Sequence, residues 1–316
     1  MSSPRKLNIL ITGCSPGGMG ASLATAFHDA GHRVYATARN PSKLNALAPR
    51  GMQTIPLDIT SASSIASAVA AVSESMASAE GLDILVNNAA GSYIMPVADV
   101  SLDAARALFD QNVWAHVAVT QAFLPLLLRS AGSMRTPPSE AWCSFGGDGD
   151  GPSRPLIVNH TSVGSVSALP FQGVYNASKA ALAMLSQTMR MELAPFGIAV
   201  VDLKTAGVKS NIIANNNVNT KAERLPEGSI YTLARDVVEE AMSQEALASV
   251  GISADQWAAE VAPLLLGRSP PAVIWKGESA TVSRLACAMP CNMIEGYIKK
   301  LTKLDVVEEI ITESRK

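Results

Sequence analysis

One doubly wound α/β domain with a parallel sheet is predicted by three observations. Short apolar runs alternate with longer helical runs along most of the chain. That order argues for a parallel sheet with helices on both faces. The first apolar run passes straight into a glycine-rich loop, and a helix follows. Finally, the 316 residues are 48% hydrophobic and 16% charged, enough for a large core and far from a disordered composition. No internal repeat interrupts the pattern, so residues 1–316 are read as a single domain.

Leu7-Asn8-Ile9-Leu10-Ile11-Thr12 reads as a buried parallel strand. It enters Gly13-Cys14-Ser15-Pro16-Gly17-Gly18-Met19-Gly20, and residues 21–30 read as a helix closed by Gly31. Strand, glycine loop and helix form the Rossmann context for a dinucleotide. Glycines let the backbone approach a pyrophosphate, and the helix start supplies N–H donors and a positive dipole end. Gly13, Ser15, Gly18, Met19 and Gly20 are therefore candidate cofactor contacts. Strand two is placed at 34–37 and strand three at 54–57, ending at Asp58. A helix over 61–79, capped by Thr60 or Ser61, leads to strand four at 82–86. A long helix at 101–129, strand five at 156–159, a helix at 170–194, strand six at 198–203 and strand seven at 272–275 complete the count of about seven strands.

Tyr175-Asn176-Ala177-Ser178-Lys179 opens a run rich in Ala, Leu and Met. On a helix, positions four apart share a face, so the phenol and the ammonium can enter one cleft. A nearby cation would lower the Tyr pKa from about 10. Such a phenol can exchange a proton with an oxygen that Ser162 holds in place.

Thr12-Gly13, the glycine loop, Asn87-Asn88-Ala89, Ser162, Tyr175 and Lys179, in this order, resemble the short-chain dehydrogenase/reductase family over residues 6–275. Residues 11–20, 36–43 and 173–185 are most similar to its NADPH-dependent 1-acyldihydroxyacetone-phosphate reductase branch. Gly13, Gly18 and Gly20 then correspond to the three family glycines. The resemblance implies catalytic roles for Asn112, Ser162, Tyr175 and Lys179. Asn112 would hold, through its carbonyl at a helix break, a water linked to the lysine. It also implies that Asp58 contacts the adenine, that Asn88 and Ala89 lie along the cofactor, and that Val208 and Ser210 hold the carboxamide. Lys179 would bond the nicotinamide ribose beside Tyr175. Three departures stand out: Ala90 where the family has glycine, Lys204-Thr205-Ala206-Gly207 in place of a Pro-Gly turn, and an insertion at 132–155.

Arg39 follows the neutral Thr37 and Ala38. An NAD enzyme of this fold places an acid near this point for the ribose 2′-hydroxyl. A guanidinium suits a 2′-phosphate instead, so NADPH is the expected cofactor. Tyr93, Met95, Phe171 and Gln172 flank the motifs and are expected to line a pocket for a lipophilic small molecule. Residues 204–270 are expected to cover that substrate. The 132–155 insertion, rich in Gly, Pro and Ser, is expected on the surface, away from the site.

The net charge is −2, and no basic block or aromatic-basic stripe points to nucleic acid. No metal site is expected from the four cysteines. The apolar run after Arg5 and Lys6 is too short for a signal peptide, and a cytoplasmic setting is expected. The helical tail at 284–316 mixes Leu, Met and Ile with Lys299, Lys300 and Lys303. It is read as packing on its own domain, with a peripheral membrane or lipid contact as the alternative. A homo-oligomer is left open. The leading function is reduction of a ketone on a lipophilic substrate, acyl-dihydroxyacetone phosphate or a secondary-metabolite ketone. An isomerase or cyclase on the same fold, or a non-catalytic NADPH sensor, are the alternatives. The full Asn-Ser-Tyr-Lys set argues against a sensor, which needs no proton donor.

Overall fold

The computed structural model describes residues 5–133, 151–210, 224–245, 250–287, 289 and 291–316. Most of the predicted insertion (134–150) and parts of the predicted substrate-covering segment (211–223 and 246–249) lie outside the described residues.

Seven strands form one parallel sheet in the order β3-β2-β1-β4-β5-β6-β9. They are β1 (Asn8–Ile11), β2 (Arg33–Ala38), β3 (Gln53–Pro56), β4 (Ile84–Asn87), β5 (Leu156–Ser162), β6 (Ala199–Thr205) and β9 (Val273–Lys276). A short second sheet pairs β7 (Val208–Lys209) with β8 (Ile252–Ser253). Side chains alternate between the two faces of a strand. In β1, Ile9 and Ile11 enter the core on one face, with Phe27 and Trp257, while Leu10 enters the other, with Phe123 and Val119. The first core is covered by α1 (Met19–Asp29) and by a helix over Ala254–Leu266. The second is covered by α2 (Ala62–Glu74), α4 (Ala115–Ser133) and α5 (Gly173–Leu193). Apolar strands buried on both faces explain why these runs are almost unbroken in the sequence.

The long helix expected at 101–129 is divided. Helix α3 (Leu102–Phe109) passes through a π-turn at Asp110–Trp114 before α4 begins. Strand β5 runs past the expected Asn159 to Ser162, and β6 runs past Leu203 to Thr205. Apart from the half-buried Ser162, the extra residues are polar but buried, because their side chains find partners inside the protein. The tail packs on the rest of the chain: Leu304, Val307, Ile310 and Ile311 join a cluster with Tyr231, Val238 and Met242. Lys299 and Lys303 are paired with Glu308 and Glu240. Among the described residues, no helix is long and apolar enough to cross a membrane.

Candidate active site

Strand β1 lies between β2 and β4, where the sheet order reverses direction. Loops leaving the carboxyl ends of the strands separate there and open a crevice. The glycine loop crosses it. Gly13 has φ +76°, and a Cβ on it would come within 2.8 Å of the Ala89 Cα. A Cβ on Gly20 would meet the Gly13 carbonyl oxygen and the Asn88 Nδ2, each at 2.5 Å. Gly18 begins α1 and offers no side chain to the first turn. The N–H groups at that helix start therefore have no side-chain acceptor from the cap. Ser15 accepts the Gly18 N–H through its carbonyl at 3.1 Å, and Met19 packs against the core at the helix start. This backbone-lined cradle fits a dinucleotide pyrophosphate, for which side chains would be in the way.

Hydrogen bonds tie the loop after β4 to the loop after β1. Thr12 Oγ1 accepts the N–H groups of Asn88 and Ala89 at 2.9 and 3.0 Å. The Asn88 amide donates to the carbonyls of Thr12 and Gly13 at 2.8 and 3.1 Å. Arg39 is exposed just past β2 and forms no salt bridge among the described residues. Asp58 accepts the hydroxyl and N–H of Thr60. Those bonds, with Arg39 as a smaller contributor, hold its carboxyl below the usual range. Val208 and Ser210 follow β6. Their segment is braced by Gly251, where a Cβ would meet the Gly207 carbonyl carbon at 2.6 Å, and by the bond from Glu278 N–H to Gly207. Such close backbone approaches leave room only for small residues, which is what Ala206 and Gly207 provide in place of Pro-Gly.

Ser162 ends β5, and its Oγ accepts the Gly164 N–H at 3.0 Å. Tyr175 and Lys179 sit one turn apart on α5. Lys179 is buried, and its Nζ donates to the His160 carbonyl at 3.0 Å and lies 5.9 Å from the centre of the Tyr175 ring. Asn112 is in the π-turn and fully buried. Its side chain accepts the Gly91 N–H at 2.8 Å, donates to the Gly91 carbonyl at 3.0 Å and reaches Ser178 Oγ at 3.1 Å. The helix break and the Asn88–Gly91 loop are thus locked together. A Cβ on Gly91 would meet Gln111 Oε1 at 2.7 Å. The close approach in this loop falls on Gly91, so Ala90 fits where the family resemblance led us to expect glycine.

The electrostatics differ from the sequence expectation at one point. Tyr175 was expected to have a lowered pKa. Instead burial raises it above 10, and the hydrogen bond from Ser162 opposes the rise without cancelling it. The Lys179 Nζ lies 5.9 Å from the ring centre, near enough to stabilise a phenolate once one forms. Burial brings Lys179 down to about 8, while the negative charge of Asp202 pulls the other way. Asp202 also pairs with Lys204 at 2.8 Å and accepts the Thr161 hydroxyl. Two buried histidines flank Lys179. His116 is held down to about 4 and His160 to about 3, by burial first and then by the lysine charge. Both are neutral at physiological pH. His116 donates Nε2–H to the Ala89 carbonyl at 2.7 Å, and its Nδ1 has no partner among the described residues.

Three of the four residues expected to meet substrate come together. Tyr93, Met95 and Phe171 share an apolar cluster with Leu108, Val238 and Met242, against which Tyr175 packs. Gln172 begins α5. The Tyr93 hydroxyl accepts the Ser101 N–H at 2.9 Å. Phe171 has φ +64°, a costly conformation for an aromatic residue. It is held there by the Met95 N–H on its carbonyl, at 2.7 Å, and by edge contact with Tyr231. His116, His160 and Thr205 were not singled out from the sequence. The available signal was polar residues inside otherwise apolar strands and helices, as in Leu156-Ile157-Val158-Asn159-His160-Thr161.

A nucleotide-type crevice beside a Ser-Tyr-Lys group defines an oxidoreductase of the Rossmann class. The chain belongs to the short-chain dehydrogenase/reductase family. The family profile described as short chain dehydrogenase matches residues 7–134 and 151–221. A short-chain dehydrogenase/reductase of Pestalotiopsis microspora is 47% identical over 304 residues, covering 96% of this chain and 97% of that protein. The NADPH-dependent 1-acyldihydroxyacetone phosphate reductase of Schizosaccharomyces pombe is 30% identical over 306 residues, covering 94% of each. Among solved structures, a Burkholderia cenocepacia short chain dehydrogenase in complex with NADP is similar in fold, with a TM-score of 0.65 at 20% identity over 93% of this chain and 98% of that one.

Proposed function

We propose that this enzyme reduces a ketone on a lipophilic substrate with NADPH. The observation that carries the reading is Tyr175. Its phenol is kept protonated by burial, lies close enough to Ser162 for that hydroxyl to act on its titration, and packs against the apolar cluster of Tyr93, Met95 and Phe171. A protonated donor in an apolar pocket suits the direction that delivers a proton to oxygen. The name of the fission-yeast relative, 1-acyldihydroxyacetone phosphate reductase, supports a lipid ketone. A secondary-metabolite ketone is the other member of the same class.

NADPH, when bound, supplies the hydride for the carbonyl carbon. Ser162 orients the carbonyl oxygen and Tyr175 gives it the phenolic proton. Lys179 then faces a phenolate and stabilises it by charge. Gly13, Gly18 and Gly20 would admit the pyrophosphate, with Ser15, Met19, Asn88 and Ala89 along the cofactor. Arg39 would take the 2′-phosphate and Asp58 the adenine amino group. Val208 and Ser210 would hold the carboxamide. Tyr93, Met95, Phe171 and Gln172 would line the acyl or hydrocarbon part of the substrate.

Tyr175→Phe tests the proton donor. It should bind NADPH normally and lose about 100- to 10,000-fold in turnover, measured by the absorbance of the reduced nicotinamide. Near-normal turnover would sink the mechanism. Arg39→Ala tests the cofactor preference. It should weaken NADPH by about 1.5–3 kcal/mol, the size of a lost charge-assisted contact, and leave NADH nearly unchanged. Equal loss for both would move Arg39 away from the 2′-phosphate.

A further inference from the structure

His160 touches three separate parts of the site at once. The Asn88 amide nitrogen is committed to two carbonyls, those of Thr12 and Gly13, so its Oδ1 faces the imidazole. That oxygen lies 2.8 Å from His160 Nδ1, which must therefore carry the hydrogen. Nε2 is then an acceptor, and it takes the Thr205 hydroxyl at 2.7 Å. The ring also stacks on Trp257, with centroids 5.2 Å apart and planes at 14°. The His160 carbonyl meanwhile receives the Lys179 ammonium. One side of the ring is thus fastened to the glycine loop, the other to the end of β6, one residue before the segment leading to Val208 and Ser210.

We propose that His160 is a positioning residue for the dinucleotide: its two ring nitrogens set the spacing between the Gly13 loop and the Ala206–Ser210 segment. These are the two walls between which the nicotinamide half would lie. The inference rests on the NADPH reading above. It differs from a plain core histidine in one respect. Losing the two hydrogen bonds should be felt by cofactor affinity, even when the ring volume and the Trp257 stack are kept.

Two variants separate these roles. His160→Phe keeps an aromatic ring against Trp257 and loses both hydrogen bonds. His160→Gln loses the stack, but its terminal amide can donate to Asn88 and accept from Thr205. Binding is read by titrating NADPH fluorescence, folding by thermal unfolding, and catalysis by separate KM and kcat values. The expected result for His160→Phe is a Kd and KM for NADPH raised about tenfold or more, with kcat at saturating NADPH changed less. His160→Gln should bind within about threefold of the unaltered protein, restoring most of the affinity. Unchanged NADPH affinity in His160→Phe, or equal losses in both variants, overturns the proposal. If His160→Phe does not fold, Thr205→Val removes one of the same bonds. Unchanged affinity there overturns the proposal too. Failure of the unaltered protein to bind NADPH would instead count against the proposed function.

Discussion

Lys179 is the residue whose titration should be visible in the kinetics. With its pKa brought down to about 8 and that of Tyr175 raised, the lysine is the first of the pair to lose a proton as pH rises. Below that value its charge is present to meet the phenolate formed when Tyr175 gives up its proton. Above it the counter-charge is gone. The kcat/KM for ketone reduction is expected to be level from near neutral to about pH 8 and to fall beyond it. A profile that stays level to about pH 10, the ordinary range for a lysine, would mean that burial of the ammonium does not govern the reaction. Stability provides a check on the cause. The folded pKa of Lys179 lies below its ordinary 10.5, so the cost of burying the charge is full below about 8 and is relieved as pH rises through that value. Its own contribution to stability therefore rises where activity falls. Lost activity in that window would therefore not come from unfolding driven by Lys179, and a thermal-unfolding profile over the same pH range checks this.

The elements show how far the sequence could be read, and why it stops where it does. Strands β1, β4 and the first half of β5 were legible because a parallel strand buried on both faces must be apolar throughout. The glycine loop was legible because Gly13 and Gly20 meet neighbouring backbone at distances no side chain tolerates. The Tyr175–Lys179 pair was legible because helical spacing is local. What was missed depends on partners distant in sequence. Strand β5 runs on past Asn159 through His160 and Thr161 because Asn88, Thr205 and Asp202 pair with their polar groups. No local pattern announces those partners. The residues Phe109-Asp110-Gln111-Asn112-Val113 do not by themselves show the π-turn at Asn112, and the break there was expected only through the family resemblance. The Asn112 side chain bonds Gly91 from across the fold, and the Ala- and Leu-rich helices on either side hide the break. The raised pKa of Tyr175 was missed for the same reason. Spacing brings a cation near the phenol, but burial, a property of the whole assembly, outweighs it.

Across the whole molecule, Ser162 and the described flanks of the insertion, Ser133 and Gly151, lie at opposite rims of the sheet. Ser162, the glycine loop and the Val208 segment all follow strand ends. Helix α4, by contrast, finishes at Ser133, one turn after Ser130, which donates to Asp83 at the start of β4. The chain returns at Gly151, where a Cβ would lie 3.3 Å from Leu7, and then bonds Arg268 through Ser153 and Asp83 through Leu156. Ser133 and Gly151, which flank residues 134–150, are therefore both at the amino rim. Replacing 134–150 by a short Gly-Ser link should leave KM and kcat within about threefold, since ligands of this fold bind beyond the carboxyl ends. A large loss of turnover in a replacement variant that still folds and binds NADPH would show that the segment reaches the site, from its own chain or from a neighbouring copy. The same geometry offers a handle. A peptide tag or a bead attached at the exposed Ser133 would hold every molecule by its amino rim, with the carboxyl ends of the strands turned to the solution.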